Sequence, residues 1–116
     1  MINQINVGII GTGWCGGIRA NACSDNPLVN KLFIAETNKA RLNELNKSLN
    51  IEKSSENWKD LINNDDINTI IISATPETTH YPMALAALKA GKNVFLEKPI
   101  ATTLKEAEEL ISLSVK

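Results

Sequence analysis

Short apolar runs alternate with longer stretches of helical periodicity along this chain. An apolar run without polar alternation is typical of a strand covered on both faces, and apolar residues three or four positions apart are typical of a helix with one buried face. These patterns predict strands at Ile5–Ile10, Lys31–Glu36, a very short segment around Ile51, Thr69–Ala74 and Asn93–Glu97. They predict helices at Cys15–Ser24, Lys39–Leu49, Glu56–Asn63 and Thr79–Ala90, and a last helix that begins after Thr103.

Several helix ends are marked by residues with a capping preference. Ser55 is the predicted N-cap of the third helix, and Thr103 opens a capping box with Glu106. Gly91 stands where a helix C-terminus favours a left-handed residue, and no helix continues through Pro27. The predicted buried positions are Ile18, Ala22 and Cys23 in the first helix, Leu42, Leu45 and Leu49 in the second, Trp58, Leu61 and Ile62 in the third, and Leu104, Ala107, Leu110 and Ile111 in the last.

The regular alternation of strand and helix indicates an α/β fold. Parallel strands need crossover connections, and helices usually serve as those connections. We therefore predict one parallel sheet with right-handed crossovers and helices on both faces. Because the chain of 116 residues contains no internal repeat, low-complexity tract or Gly/Ser linker, residues 1–116 are treated as a single domain.

A glycine motif follows the first predicted strand directly. Gly11, Gly13 and Gly16 form G-x-G-x-x-G between that strand and the first helix. In this setting the first glycine allows a tight turn, the second lets a pyrophosphate approach the backbone, and the third lets the helix pack closely on the strand. The helix N-terminus then offers N–H groups and a positive dipole end to the phosphates, whereas the alternative is a glycine-rich turn without a ligand. The predicted dinucleotide contacts are Gly11, Thr12, Gly13, Trp14, Cys15 and Gly16. For Trp14, packing under the helix start is the alternative to lining the pocket.

Glu36 ends the second predicted strand, twenty positions after Gly16. A carboxylate at this place accepts hydrogen bonds from adenosine ribose hydroxyls and repels a 2′-phosphate. Thr37 brings no positive charge, so we predict NAD as the cofactor. Lys39 and Arg41 are close enough along the chain to keep NADP as the less favoured choice, and an ordinary solvated Glu36 is the alternative to both.

Charge and composition exclude several classes of function. The chain has 12 Lys and Arg against 13 Asp and Glu, a net charge of −1, which gives no long-range attraction to nucleic acid or anionic membranes. No apolar run approaches the roughly 20 residues of a membrane span, and the N-terminus lacks the features of a signal peptide. We therefore expect a cytoplasmic protein with neither a nucleic-acid nor a membrane partner.

The cysteine and histidine content also narrows the chemistry. Cys15 and Cys23 are eight positions apart in one predicted helix, about 12 Å at the helical rise, which is too far for a disulfide. His80 is the single histidine, so no combination of His and Cys completes a zinc site, and no G-x-S-x-G motif of a serine hydrolase occurs. We predict no metal site.

Two further clusters follow the fourth and fifth predicted strands, at the edge where open α/β sheets bind ligands. They are Thr75-Pro76-Glu-Thr-Thr-His80 and Glu97-Lys98-Pro99. Together with the segments GIIGTGWCG, WKDLI, DDINTIIISATP, ALAALKAGKNVFLEKPIA and EAEELI, they resemble the N-terminal domain of the Gfo/Idh/MocA family of NAD(P)-dependent oxidoreductases along the whole chain. The resemblance implies a three-layer, Rossmann-like fold with the strand order 3-2-1-4-5.

The resemblance also implies a reaction, which is hydride transfer between nicotinamide C4 and a hydroxyl-bearing carbon of a sugar, polyol or nucleotide-sugar. Lys98 corresponds to the lysine that reaches the substrate oxygen and assists proton transfer, because an ammonium stabilises a developing alkoxide. Glu97 corresponds to a glutamate beside the nicotinamide half of the cofactor. Pro99 is expected to hold the turn rigid, with a cis Lys98–Pro99 bond as one way of doing so.

The remaining predicted site residues depend on the same resemblance. His80 is the second predicted catalytic residue. If the resemblance to the family is set aside, His80 is interpreted as a solvated residue at a helix start, and Lys98 is interpreted as a surface lysine. Glu77 and Arg19 stand where the family often has Asn and His, which leaves the substrate open. The predicted cofactor contacts outside the glycine motif are Glu36, Thr37, Thr75, Pro76 and Glu97.

Family members are much longer than this chain and carry a second domain that supplies most substrate contacts. We therefore expect residues 1–116 to form the Rossmann domain without its final strand and without the C-terminal domain. Such a chain is expected to bind NAD without turnover and to self-associate as a homo-oligomer through uncovered surfaces. The alternative is a non-catalytic dinucleotide-binding or interaction module, in which Lys98 has no role.

Overall fold

The computed structural model describes residues 5–115, and for Trp14 and Cys15 it describes the backbone alone. The strands are β1 (Ile5–Ile10), β2 (Val29–Ala35), β3 (Lys53–Ser55), β4 (Thr69–Ile72) and β5 (Asn93–Leu96). The helices are α1 (Trp14–Asp25), α2 (Lys39–Ser48), α3 (Lys59–Ile62), α4 (His80–Lys89) and α5 (Leu104–Ser114), with a 3-10 turn at Glu77–Thr79. The strands form one parallel sheet in the order β3-β2-β1-β4-β5, which confirms the predicted topology.

Alternate residues of the central strands face opposite cores. On one side, Val7, Ile9 and Ile34 pack with Ala20 of α1 and Leu42 of α2. The cluster on the other side joins the sheet to α3, α4 and α5, and its buried members are Ile10, Phe33, Ala35, Leu61, Ile67, Ile70, Ile72, Met83, Ala84, Ala87 and Leu110. The sheet therefore lies between two helical layers, which confirms the three-layer prediction and explains the continuous apolar runs.

The four longer strands end at one common level of the sheet. The parallel pairings align Ile10 with Ala35 and Ile72, and they align Ile72 with Leu96. The residues that follow leave the sheet and form its carboxyl edge. These ends correct the predicted ones, which were Glu36, Ala74 and Glu97.

The segment between α2 and β4 also differs from the prediction. β3 pairs with β2 a few residues beyond Ile51, so Ser55 is a strand residue and not an N-cap. The Ser55 Oγ accepts a hydrogen bond from Asn57 N at 3.0 Å and donates one to Asp60 Oδ2 at 2.5 Å. Because this tight turn occupies the residues before Lys59, α3 begins later than predicted and has four residues instead of the predicted Glu56–Asn63.

α1 buries a face that agrees only in part with the predicted one, since Cys23 packs against the core as predicted but Ile18 and Ala22 do not. Ile18 is 57% exposed and Ala22 is exposed, whereas Gly16, Gly17 and Ala20 are buried. Where α1 meets the turn after β1 only glycine fits, because a Cβ on Gly16 would lie 1.9 Å from the Gly11 carbonyl oxygen. Steric space therefore overrides hydrophobicity in choosing the buried face of α1.

Two predicted helix ends are confirmed. The Thr103 side chain accepts a hydrogen bond from Glu106 N at 3.2 Å, and Gly91 has a φ of +78°. α5 packs mainly on α4 and buries a narrower stripe than predicted, centred on Leu110. The predicted apolar positions of α5 that are exposed are Leu104 and Ile111.

Four asparagines lie at the amino edge of the sheet, and we call Asn6, Asn30, Asn68 and Asn93 the asparagine network. The Asn6 Nδ2 donates to the Asp66 carbonyl at 2.7 Å, and the Asn30 Nδ2 donates to Asn6 Oδ1 at 3.1 Å. The Asn68 side chain accepts from Asn6 N at 3.2 Å, and the Asn93 Nδ2 donates to the Asn68 carbonyl at 3.2 Å. These polar groups therefore bind one another and the adjoining backbone.

Candidate functional site

A cavity of about 510 Å³ opens at the carboxyl edge of the sheet. The predicted site residues that line it are Gly11, Thr12, Gly13, Glu36, Thr37, Thr75, His80, Glu97 and Lys98. Gly16 and Pro76 are not part of the lining, and the side chains of Trp14 and Cys15 lie outside the described residues. The fold therefore gathers predicted residues from the ends of β1, β2, β4 and β5 into one cavity.

The glycine loop, Gly11–Gly16, contains three glycines with three different surroundings. Gly11 has a φ of +86°, and a Cβ there would lie 2.5 Å from Ala74 Cα. A Cβ on Gly16 would lie 1.9 Å from the Gly11 carbonyl oxygen, whereas a Cβ on Gly13 would meet no described atom within 4 Å. These surroundings match the tight turn, the close helix packing and the open approach that the motif predicts.

The start of α1 offers hydrogen-bond donors to the cavity. α1 begins directly after Gly13, and no described side chain caps its first turn. The first N–H groups of a helix have no partner within the helix and lie at the positive end of its dipole. At the end of β4, Ser73 adds a buried hydroxyl with no hydrogen-bond partner among the described residues. This donor set fits an anionic group such as a pyrophosphate.

Glu36 is held in place by the glycine loop. Its Oε1 accepts hydrogen bonds from Thr12 N at 2.9 Å and Thr12 Oγ1 at 2.5 Å, and its Oε2 accepts one from Asn38 N at 2.9 Å. Burial alone would raise the pKa of Glu36, but the hydrogen bonds from Thr12, Asn38 and the Thr37 backbone together lower it below its ordinary value. The carboxylate is therefore ionised at neutral pH, and Oε2 retains the greater capacity to accept a ligand hydroxyl.

Arg41 lies against the glycine loop and is not among the residues that line the cavity. Its Nε donates to the Thr12 carbonyl at 2.9 Å, and its Nη1 pairs with Glu44. In the sequence, the positive charge of Arg41 keeps NADP as a possible cofactor. In the fold, however, Arg41 supports the glycine loop. No sequence pattern marks the contact between Arg41 and Thr12, because the fold alone brings these distant residues together.

Lys98 and Glu97 lie where the chain leaves β5. Lys98 is exposed, and Glu97 is half-buried. The Glu97 Oε2 forms an ion pair with Arg19 Nη1 at 2.8 Å, and the Arg19 guanidinium lies 5.1 Å from the centre of the Phe95 ring. Arg19 therefore connects α1 to the end of β5. The Lys98–Pro99 bond is cis, which is the arrangement that the sequence left open for this turn.

His80 is the first residue of α4 and is only 3% exposed. Its Nδ1 lies 2.8 Å from the Pro99 carbonyl oxygen, and its Nε2 lies 2.9 Å from the Ala74 carbonyl oxygen. Both ring nitrogens are therefore engaged by backbone groups of the loops that follow β4 and β5. The predicted catalytic role of His80 stays a prediction.

Within residues 5–115, leaving aside the undescribed Cys15 side chain, no group of three or more His, Cys, Asp and Glu side chains is placed to hold a metal ion. In the same part of the chain, no helix has both the length and the apolar character needed to span a bilayer.

Comparison with known proteins gives a consistent result. The sequence matches the family described as "Oxidoreductase family, NAD-binding Rossmann fold" over residues 5–116. Glycosyl hydrolase family 109 protein 2 of Shewanella sp. (strain ANA-3) is 34% identical, and the match covers 95% of this chain and 26% of that protein. Levoglucosan dehydrogenase of Pseudarthrobacter phenanthrenivorans is 33% identical, with 94% of this chain and 30% of the relative covered.

Solved structures agree with the sequence match. Scyllo-inositol dehydrogenase from Lactobacillus casei, with bound cofactor NAD(H) and scyllo-inositol, superposes with a TM-score of 0.86 at 29% identity. The superposition covers 97% of this chain and 33% of that structure. The chain therefore spans between about a quarter and a third of the length of these relatives.

Proposed function

Because the chain belongs to the Gfo/Idh/MocA oxidoreductase family with its NAD-binding Rossmann fold, we propose that it is the cofactor-binding part of an enzyme that transfers hydride between nicotinamide and a hydroxyl-bearing carbon. Sugars, polyols or nucleotide-sugars are the expected substrates, since similar proteins include a levoglucosan dehydrogenase and a scyllo-inositol dehydrogenase. The observation that carries the proposal is that the first residues of the glycine loop, Gly11–Gly13, line one cavity together with Glu36 and Lys98.

The adenosine half of the cofactor is matched by the groups around the glycine loop. The N–H groups at the start of α1 and the open surface at Gly13 suit the pyrophosphate. The Glu36 carboxylate suits the ribose hydroxyls through Oε2, and its charge repels a 2′-phosphate, which supports NAD over NADP. When bound, the nicotinamide supplies the carbon that accepts or donates hydride.

We assign proton transfer at the substrate oxygen to Lys98. Its side chain is exposed at the cavity, next to Glu97 and on the same edge as the glycine loop. In the oxidation direction a neutral amine accepts the hydroxyl proton, and in the reduction direction the ammonium donates it. The same positive charge stabilises an alkoxide that develops at the substrate carbon.

Calorimetric titration of the folded chain with NAD and NADP tests the cofactor assignment. We expect saturable binding of NAD and weaker binding of NADP, because the Glu36 carboxylate repels the 2′-phosphate. Lys98→Ala is the matched control: it removes a charge from the same cavity but leaves the adenosine contacts intact, so the preference for NAD should persist. Folded protein that binds neither dinucleotide at millimolar concentration contradicts the proposal.

For the 116 residues by themselves we propose binding without turnover, and we treat residues 1–116 as one dinucleotide-binding unit. Substrate contacts in such oxidoreductases are expected from a second domain. The absence of a final strand and of a C-terminal domain stays a prediction, tested by determining the complete reading frame. If this chain reduces NAD in the presence of a polyol, the proposal that it binds the cofactor without turnover is wrong.

A second candidate function is glycoside cleavage, because one similar protein is a glycosyl hydrolase family 109 protein. Release of nitrophenol from an aryl glycoside supports cleavage, whereas accumulation of NADH with a free sugar supports net oxidation.

A non-catalytic module is not favoured, since these relatives are named as enzymes. For such a module, Gly13→Ala abolishes function while Lys98→Ala does not.

Self-association is a further part of the proposal. Ile18 and Phe95 are 57% and 53% exposed, and apolar surface of this kind favours burial against another molecule. Light scattering should therefore show a dimer or larger species whose population rises with protein concentration. A monomer at every concentration contradicts this part. We also propose a cytoplasmic location, which cell fractionation tests.

A further inference from the structure

His80 connects the two loops that form one end of the cavity. Ala74 belongs to the loop after β4, and Pro99 belongs to the loop after β5. The imidazole lies between them, with Nε2 at 2.9 Å from the Ala74 carbonyl oxygen and Nδ1 at 2.8 Å from the Pro99 carbonyl oxygen. Because the ring is 3% exposed, water has almost no access to replace either contact.

Hydrogen-bond chemistry constrains the state of this ring. A carbonyl oxygen only accepts hydrogen bonds, and a neutral imidazole carries hydrogen on one nitrogen alone. A neutral ring would therefore place a lone pair against one of the two carbonyl oxygens at hydrogen-bond distance. Both contacts are satisfied only when both nitrogens carry hydrogen, and such charge-assisted bonds are stronger than neutral ones.

The charges around the cavity are compatible with a positively charged ring. The ionisable side chains that line it, apart from His80, are four carboxylates and one ammonium: Glu36, Glu56, Glu77, Glu97 and Lys98. Arg19 neutralises Glu97, so three carboxylates remain against one ammonium. This surplus favours a cation at the cavity wall and opposes the positive dipole end of α4, where His80 lies.

We propose that His80 is a positioning residue: its doubly protonated ring donates hydrogen bonds to both loops and thereby fixes Glu97 and Lys98 at the cavity. This inference rests on the proposed function, in which Lys98 assists proton transfer. The link is short in sequence, since the Pro99 carbonyl that His80 binds belongs to the residue directly after Lys98. His80 then acts through Lys98 and does not itself exchange a proton with the substrate.

The first test observes the imidazole directly and does not depend on cofactor binding. Because His80 is the only histidine, its ring nitrogens give unambiguous signals in a nitrogen-15 NMR spectrum. We expect two imidazole N–H correlations with slow exchange, since both hydrogens are bonded and shielded from water. A single N–H correlation together with a nitrogen that carries a lone pair overturns the proposal.

The second test separates positioning at one end of the cavity from a general loss of structure. NADH occupies both ends, whereas ADP-ribose lacks the nicotinamide. We expect His80→Leu to weaken NADH binding about tenfold and His80→Gln, whose amide NH2 can still donate to one of the two carbonyl oxygens, to weaken it less. ADP-ribose binding should stay within about twofold for both variants.

Tyr81→Phe is the matched control, because Tyr81 follows His80 on α4 but its hydroxyl donates to Glu109 of α5, outside the cavity. It should leave NADH binding unchanged. Equal losses for NADH and ADP-ribose in His80→Leu, or no loss for either, contradict the positioning role. If the unaltered chain binds no NADH, the proposed function fails, while the NMR spectrum still decides the state of His80.

Discussion

The two edges of the sheet carry polar residues that are used in opposite ways. At the amino edge, the asparagine network pairs its donors and acceptors with one another and with nearby backbone. At the carboxyl edge, the start of α1 and the Ser73 hydroxyl have no described side-chain partner, and Lys98 is exposed. Both edges are polar, so polarity alone does not mark a site. The useful distinction is whether the polar groups are already paired within the fold.

The largest expected effect comes from Gly16→Ala, which acts where the carboxyl edge is most tightly packed. The added Cβ would lie 1.9 Å from the Gly11 carbonyl oxygen, so α1 has to move away from the strand. We expect loss of NAD binding and a decrease of about 1–3 kcal/mol in the free energy of unfolding. Denaturant titration and calorimetry measure the two quantities.

Gly13→Ala is the control for this prediction. A Cβ at Gly13 meets no described atom within 4 Å, so the stability should change by only about 0.5 kcal/mol, yet the methyl group obstructs the pyrophosphate. If Gly13→Ala destabilises the fold as much as Gly16→Ala, the assignment of different roles to the two glycines is wrong.

The next effect is expected from Glu36→Gln, which removes the charge but keeps the size of the side chain. The amide places a donor against Thr12 or Asn38, whose groups are donors too. We expect NAD binding to weaken about 10- to 100-fold and the preference over NADP to shrink, measured by parallel titrations. Glu44→Gln removes an exposed carboxylate next to Arg41 and should leave the preference intact. A variant of Glu36 with unaltered preference would falsify the ribose assignment.

A smaller effect, confined to stability, is expected at the amino edge. Asn6→Ala removes the side-chain hydrogen bonds to the Asp66 carbonyl and to Asn30, whereas the backbone N–H that donates to Asn68 remains. The free energy of unfolding should fall by about 0.5–1.5 kcal/mol. NAD affinity should stay within about twofold, because the cavity lies at the opposite edge. Asn43→Ala, at an exposed position on α2, serves as the control for the loss of an asparagine. A marked loss of NAD affinity in Asn6→Ala would remove the distinction between the edges.

The smallest effect is a pH dependence that belongs to the carboxyl edge alone. The folded state lowers the pKa of Glu36 from its ordinary value of 4.5, so the folded state binds this proton less readily than the unfolded state. The resulting stability is complete above pH 4.5 and is lost as the pH falls through the lowered value. Thr12→Val removes one hydrogen bond to the Glu36 carboxylate. In acid titrations, it should therefore reduce the loss of unfolding free energy that occurs as the pH falls below 4.5. An unchanged curve means that Thr12 does not tune Glu36.

Element order, sheet type and the glycine loop were predictable because each depends on local pattern. A β-branched run gives a strand, and a glycine motif between strand and helix gives a tight turn. Strand ends were predicted too late because pairing with the neighbouring strand decides where a strand stops, as Ile72 shows. For α1, Cys23 was predicted correctly, but Ile18 was wrong because close packing at Gly16 counts for more than the apolar character of Ile18.

The sequence predicted which residues line the cavity, but not which of them are already engaged in hydrogen bonds within the fold. Glu36 and Lys98 were predictable because they come just after β2 and β5, and the structure places both at the cavity. The contacts of Arg41 with Thr12, and of His80 with two carbonyl oxygens, join distant segments and appear only after folding. Sequence therefore indicates which side chains meet, whereas the fold decides which of them are already engaged.

The contact between Thr12 and Glu36 has an evolutionary consequence. Thr12 is 0% exposed, and its hydroxyl and its N–H both donate hydrogen bonds to the Glu36 carboxylate. Replacing Glu36 alone therefore leaves two buried donors without an acceptor. A lineage that changes its dinucleotide preference at Glu36 therefore needs a compensating change at Thr12. The two positions are expected to substitute together, and a laboratory switch toward NADP should begin from the pair.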